Sequence, residues 1–167
     1  MPRDAAYWIR ELDLRDHPEG GHYRETYRSE GSIAASALPG PPRGDRAYST
    51  AIYYLLRSDE VSLLHRLRSD ELFHFYLGSP LVIHEIDPRG GYRARRLGTD
   101  PSRGESPQVV VLAGRWFGAT VDAPDTFSLV GCTVAPGFDF DDFETGDRSG
   151  LLRLCPDQRP IIERLTR

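Results

Sequence analysis

From Tyr48 onward the chain is a series of short apolar runs, each followed by a turn signal: STAIYYLLR, VSLLHRL, ELFHFYL, PLVIHEI, YRARRL, QVVVLA, RWFGATV and TFSLVGCTV. No other feature constrains the fold as much. Runs of strand length, rich in β-branched and aromatic residues and divided by Gly, Pro, Asp and Ser, predict an antiparallel sandwich or barrel. Helix is expected only at the ends. AAYWIRELDL, residues 5 to 14, sets Trp8 and Leu12 four apart with Ala5 one turn earlier, the stripe of a short amphipathic helix. DQRPIIERL predicts a last helical turn or two with Asp157 as N-cap. GSIAASALPGPPRG, residues 31 to 44, reads as a loop or mobile flap.

No repeat or shift in composition marks a boundary, so residues 1–167 are expected to form a single domain with a substantial core. A net charge of −4, with basic residues scattered along the chain, argues against nucleic acid as a partner. There is no apolar run long enough to span a membrane. The opening MPRDAAYWIRELDLRD is charged throughout, unlike a secretory signal. Cys132 and Cys155 form no close pair and read as two buried thiols of a reducing compartment. The expected location is the cytoplasm.

The period of two places the polar residues. In VSLLHRL it sets Val61, Leu63, His65 and Leu67 on one face, toward the interior. Beyond Arg68-Ser69-Asp70, Glu71 shares its face with Phe73, Phe75 and Leu77. A carboxylate among aromatic rings needs a cation, a donor or a proton, and His65 on the neighbouring strand is the natural partner. Tyr23, Glu25 and Tyr27 share a face in HYRETYR, and Gln108 opens a strand as a polar pocket lining. Alternation turns Leu72, His74 and Tyr76 away from Glu71, unless a bulge near Asp70 reverses the parity. His17 and His84 read as surface or loop residues. In FDFDDFE, residues 138 to 144, the phenylalanines are expected to pack and the acids to be solvated; the run lacks the spacing of a calcium loop.

The run from His65 through Glu71 to Gly78 resembles the first motif of the cupin superfamily. Glu19-Gly20-Gly21-His22-Tyr23-Arg24-Glu25-Thr26 resembles the opening pattern of a small cupin family catalogued as a domain of unknown function (DUF985, cupin_5-like). The resemblance continues through STAIYYLL, HRLRSDELFHFYLG, PQVVVLAGRWFGA and LVGCTVAPGFDFDDFE, and departs at His22 and Phe73, where the family more often has an aromatic residue and tryptophan. It implies an all-β double-stranded β-helix, a jelly-roll barrel with short flanking helices, assembled as a homodimer, with residues 21 to 28 the candidate to cross to the partner.

Metal-binding cupins take two histidines and a glutamate from the first motif and a histidine from the second. Here Leu67 and Phe117 stand at two of those places. The expectation is therefore no cofactor, with a divalent transition metal on His65, Glu71 and His74 as the alternative. Metal-free epimerases of the superfamily use the first-motif histidine as a base. By this resemblance His65 with Glu71 forms a general-base pair, and Tyr23, Glu25, Tyr53, Phe73, His74, Gln108 and Phe117 contact the ligand. The tyrosines at 23, 53, 54 and 76 are candidates to return a proton. The function read from this is an isomerase, epimerase or lyase acting on a sugar-like small molecule. A metal enzyme and a non-catalytic metabolite-binding protein are the alternatives.

Overall fold

The computed structural model describes residues 3–41 and 43–167. Pro42, in the predicted flap, lies outside them. Two six-stranded sheets face each other as a jelly roll, without closing into one ring of ladders. The first contains, in spatial order, β1 (Arg15–Asp16), β2 (His22–Arg28), β5 (Thr50–Arg57), β13 (Phe127–Ala135), β7 (Asp70–Gly78) and β11 (Gln108–Val111). The second runs β10 (Glu105–Ser106), β9 (Tyr92–Leu97), β8 (Leu81–Ile86), β12 (Trp116–Val121), β6 (Ser62–Arg66) and β14 (Glu144–Thr145). The segment 31–44 opens with β3 (Ser32–Ile33), which forms a small separate ladder with β4 (Arg46–Ala47) just beyond it.

Between the sheets, Leu56, Leu81, Ile83, Leu97, Val111, Val121 and Val130 form the main core. Two outer faces are covered by helices. α1 (Ala5–Glu11) lays Trp8 and Ile9 on Leu55, Leu129 and Leu77 of the first sheet. Its N-cap is Asp4, whose side chain accepts the Tyr7 N–H at 2.8 Å. α2 (Arg148–Leu154) and α3 (Arg159–Arg164) place Leu151, Ile162 and Leu165 on Leu64 and Ile86 of the second sheet. α2 was not foreseen: it is one short apolar patch containing Gly150, and its signal is the Asp147 cap on the Gly150 N–H at 2.7 Å. At the tail Gln158, not Asp157, precedes the helix; Asp157 sits inside a 3-10 turn. Among the described residues no helix is long and apolar enough to cross a membrane.

Three ladders shift register, and each shift corrects the strict alternation. In β2 the register slips between Glu25 and Tyr27, so Arg28 comes to line the interior while Tyr27 is left 56% exposed. In β6 it slips between the Ser62 and His65 pairings, so Ser62 joins His65 inside and Val61 packs with Leu64 under the C-terminal helices. In β7 it slips past Tyr76, which sends Leu77 outward to α1 while Phe73 and Phe75 stay with the core. No shift occurs near Asp70, so His74 keeps the outward direction that alternation gives it. β2 is paired on both sides within its own sheet, to β1 and β5.

Candidate active site

A cavity of about 280 Å³ opens between the β1–β2 edge of one sheet and the β6–β14 edge of the other. The first residue to place in it is one that the alternation did not single out, Glu19. It belongs to the turn His17–Gly21, closed by the Gly20 N–H on the His17 carbonyl at 3.0 Å. The two glycines after Glu19 have φ of 106° and 73°. A Cβ on Gly20 would stand 2.1 Å from the Val61 carbonyl oxygen, and one on Gly21 2.7 Å from the Tyr54 hydroxyl. Only glycine lets the turn lie this close to the strands. The Glu19 carbonyl then accepts the Leu63 N–H at 2.9 Å, which ties the turn to β6 and delivers the Glu19 carboxylate to His65.

His65 is 4% exposed, with its ring tilted against Phe117 at 4.0 Å and stacked on Phe143 at 5.2 Å. Its Nδ1 lies 2.7 Å from the Leu63 carbonyl oxygen. A carbonyl only accepts, so Nδ1 carries the proton. Glu19 Oε2 stands 2.9 Å from the same nitrogen, but the N–H is directed to Leu63; the contact is an ion pair, and this oxygen has no hydrogen bond of its own. Nε2 has no partner among the described residues and is left to the cavity. Burial alone lowers the histidine's pKa. The adjacent Glu19 carboxylate, the charge of Glu71 and the Leu63 carbonyl outweigh it, and the net shift is upward.

Glu71 is the other buried acid, 8% exposed. Burial raises its pKa to about 7, with His65 pulling down, Glu19 pushing up and the Cys132 thiol donating to it. Near neutrality it is therefore divided between carboxylate and acid. Burial, and Glu71 itself, push the Cys132 thiol well above its usual value, so it is a donor here and not a nucleophile.

His17 lies in a loop, as one of its two readings had it, but not at the surface. Its side chain is 7% exposed, set edge-on against Tyr23 at 4.6 Å and Tyr54 at 5.9 Å. The Glu19 backbone N–H donates to its Nδ1 at 3.3 Å, which fixes the neutral tautomer with the proton on Nε2. Burial lowers its pKa, Glu19 opposes, and the charge of His65 lowers it further. One carboxylate thus lies between two histidines shifted in opposite directions, 3.6 Å from His17 and 2.9 Å from His65. His84 is also buried, on the other face of the second sheet, held by the Tyr92 hydroxyl at 2.8 Å and Thr120 Oγ1 at 3.1 Å. Burial lowers its pKa to about 4.

Of the residues expected at the ligand, His65, Glu71, Tyr23, Glu25, Phe73 and Phe117 line the cavity. Glu25 does so at the mouth, bonded to Arg28 at 3.0 and 2.8 Å. Tyr53, His74 and Gln108 do not: they lie on the outer face of the first sheet. There His74 Nε2 meets Thr133 Oγ1 at 3.2 Å, Gln108 Nε2 meets His74 Nδ1 at 3.1 Å, and Tyr53 packs edge-on to Tyr76 at 6.0 Å. Tyr54 donates its hydroxyl to the Gly20 carbonyl at 2.8 Å, so among the four candidate tyrosines Tyr23 alone lines the cavity without a hydrogen bond among the described residues. The phenylalanines at 138, 140 and 143 pack as expected and roof the cavity, but Asp142 is not solvated: it holds Arg46 at 2.6 Å.

The donors present do not fit a transition metal. Leu67 and Phe117 present apolar surface at two of the cupin ligand places and His74 faces the other side of its sheet, which leaves Nε2 of His65 as the one histidine nitrogen of the expected set open to the cavity. Among the described residues no three His, Cys, Asp or Glu side chains are arranged to hold an ion.

The family model described as cupin superfamily (DUF985) matches residues 6–146. The structure is similar to that of protein SO0799 from Shewanella oneidensis, at 41% identity over 100% of this chain and 99% of that one, with a TM-score of 0.88. It is also similar to a hypothetical protein from Leishmania major, at 35% identity over 98% of both chains, with a TM-score of 0.86. The uncharacterized protein YML079W of Saccharomyces cerevisiae is 28% identical over 84% of this chain and 74% of its own length.

Proposed function

The chain belongs to the DUF985 family of the cupin superfamily, and from that premise we propose that it is a metal-independent isomerase, epimerase or lyase that moves a proton on a small oxygenated, sugar-like metabolite. The observation that carries this reading is the enclosure of His65 and Glu71 in one cavity with both pKa values raised, that of Glu71 to about 7. Groups so tuned accept and return protons at little cost in free energy, which is what general acid–base catalysis requires. A cavity of about 280 Å³ stands at the small end of ligand pockets and suits a single sugar ring or a shorter hydroxy-carbonyl compound.

The roles differ from those read from the sequence. His65, held toward the imidazolium by Glu19, is the acid: its Nε2–H hydrogen-bonds a substrate carbonyl oxygen. Glu71, a carboxylate of unusually high basicity, takes the proton from the adjacent carbon. The C–H electron pair moves onto the carbonyl oxygen as an enolate, which the His65 N–H stabilises. The neutral His17 offers a second Nε2–H to the same oxygen or a neighbouring hydroxyl. Return of the proton to the neighbouring carbon gives isomerisation, its delivery to the opposite face gives epimerisation, and expulsion of a β-hydroxyl gives elimination.

The test is deuterium exchange. A panel of hydroxy-aldehydes, hydroxy-ketones and keto-sugars is incubated with the protein in D₂O and followed by proton NMR. At least one compound is expected to exchange its carbon-bound proton, and Glu71→Gln to slow that exchange by about 10²-fold or more. Binding of several panel members without exchange in any would replace this reading with a non-catalytic binding protein.

A further inference from the structure

We propose that the arginines around Glu85 form a binding site for a phosphate group, separate from the cavity. Glu85 is wholly buried, yet three guanidiniums converge on it. Arg95 donates from Nε to Oε1 at 2.6 Å and reaches on to the Val110 carbonyl; Arg93 donates from Nη2 to Oε2 at 2.9 Å. Arg115 comes only within 3.9 Å of Oε2, and its side chain makes no hydrogen bond among the described residues although it is 23% exposed.

The cluster holds more positive charge than its carboxylate offsets. Three cations face one anion, an excess of two. Asp87 lies near Arg115 and Arg89, its Oδ1 accepting the N–H groups of Arg89 and Gly91 at 2.8 and 3.0 Å; with Asp87 and Arg89 counted in, four cations face two anions and the excess is still two. Burial, joined by repulsion from Arg93 and Arg115, lowers the pKa of Arg95 despite Glu85 beside it. Arg93, 45% exposed on its side chain, has used one of its five N–H donors and Arg115 none. Two guanidinium forks with free donors and an excess charge of two match a phosphate dianion, whose oxygens can bridge both; one carboxylate would offset half the charge.

Inorganic phosphate is the probe, titrated into the intact protein at constant ionic strength with chloride as the balancing ion, while the arginine Nε–H resonances are followed by NMR. Saturable shifts of Arg93 and Arg115 are expected. Arg93→Gln should weaken phosphate at least about tenfold, equivalent to about 1.4 kcal/mol. Arg93 is the exposed member, so that variant decides the question if Arg115→Gln does not fold. Glycerol phosphate run in parallel separates the sources. Equal affinity identifies the phosphate group of a metabolite, and a preference for the inorganic ion identifies free phosphate. Shifts that chloride reproduces, acetate binding as tightly as phosphate, or phosphate binding unchanged in Arg93→Gln would each overturn the proposal.

Discussion

Arg93, Glu85, Phe117 and His65 stand in one row across the second sheet, one on each of four neighbouring strands. The row contrasts two ways of keeping charge inside a jelly roll. On one side of Phe117, Glu85 is fully buried and surrounded by guanidiniums. On the other, His65 faces Glu19 and Glu71, and among the described residues no arginine pairs with Glu71. A buried acid ringed by permanent cations serves the fold. A buried acid beside a histidine, itself titratable, has its pKa raised to about 7, which is what the proposed proton transfer needs. Burial alone therefore does not identify a reactive group; the permanence of its partner does.

The largest effect should come from breaking the arginine side. Glu85→Ala leaves three guanidiniums without their carboxylate, and the expected loss is about 3–5 kcal/mol, read from chemical denaturation at pH 7. A loss under about 1 kcal/mol would mean that the arginines swing to solvent and that the network is not structural.

The opposite side should behave differently. Glu71→Gln removes an acid whose native pKa, about 7, lies above its ordinary value of 4.5. In the window between those values the native state binds more protons than the unfolded chain. Its contribution to stability is complete below about 4.5 and falls away as pH rises through about 7, by an amount on the order of 3 kcal/mol. His65, also shifted upward, adds a term of the same sign above its ordinary value of 6.5. His84, lowered to about 4, contributes the opposite slope. The difference between wild type and Glu71→Gln isolates the Glu71 term: the variant should gain on wild type as pH rises from 5 to 8. Parallel curves would remove Glu71 from the proton-exchanging pair.

A smaller effect sharpens the contrast within the cavity. Glu19→Gln should lower the pKa of His65, followed by the NMR titration of its ring protons, while His84 does not move. If His65 titrates as before, Glu71 rather than Glu19 sets its charge. Least of all, Cys132→Ala deletes one thiol hydrogen bond to Glu71, expected to cost about 1 kcal/mol and to push the Glu71 pKa further up.

Most of the fold was legible in the strand-length runs of the sequence, because burying alternate residues imposes a period that composition preserves. The period failed at three places, beside Thr26, between Ser62 and His65, and at Tyr76. Each lies on a strand that contributes to the cavity, and a bulge has no obligatory residue type to announce it. Hence Arg28 and Ser62 were missed, and Leu77 was placed on the wrong face. His65 and Glu71 were legible as polar residues on apolar faces. Glu19 and His17 were not, since a turn has no period. Their one signal was the Gly20-Gly21 pair, which marks a turn pressed against its neighbours without saying which side chain is delivered.

Phe117 divides the row, and the division has a thermodynamic meaning. His65 and Glu85 are two strand spacings apart, roughly 10 Å, with an aromatic ring and no polar bridge between them. Substitutions at that separation combine additively when nothing links them. With Phe117 in place, substitutions at His65 and Glu85 are expected to add to within about 0.5 kcal/mol in a double-mutant cycle, and a larger interaction would show that the ring they share couples them.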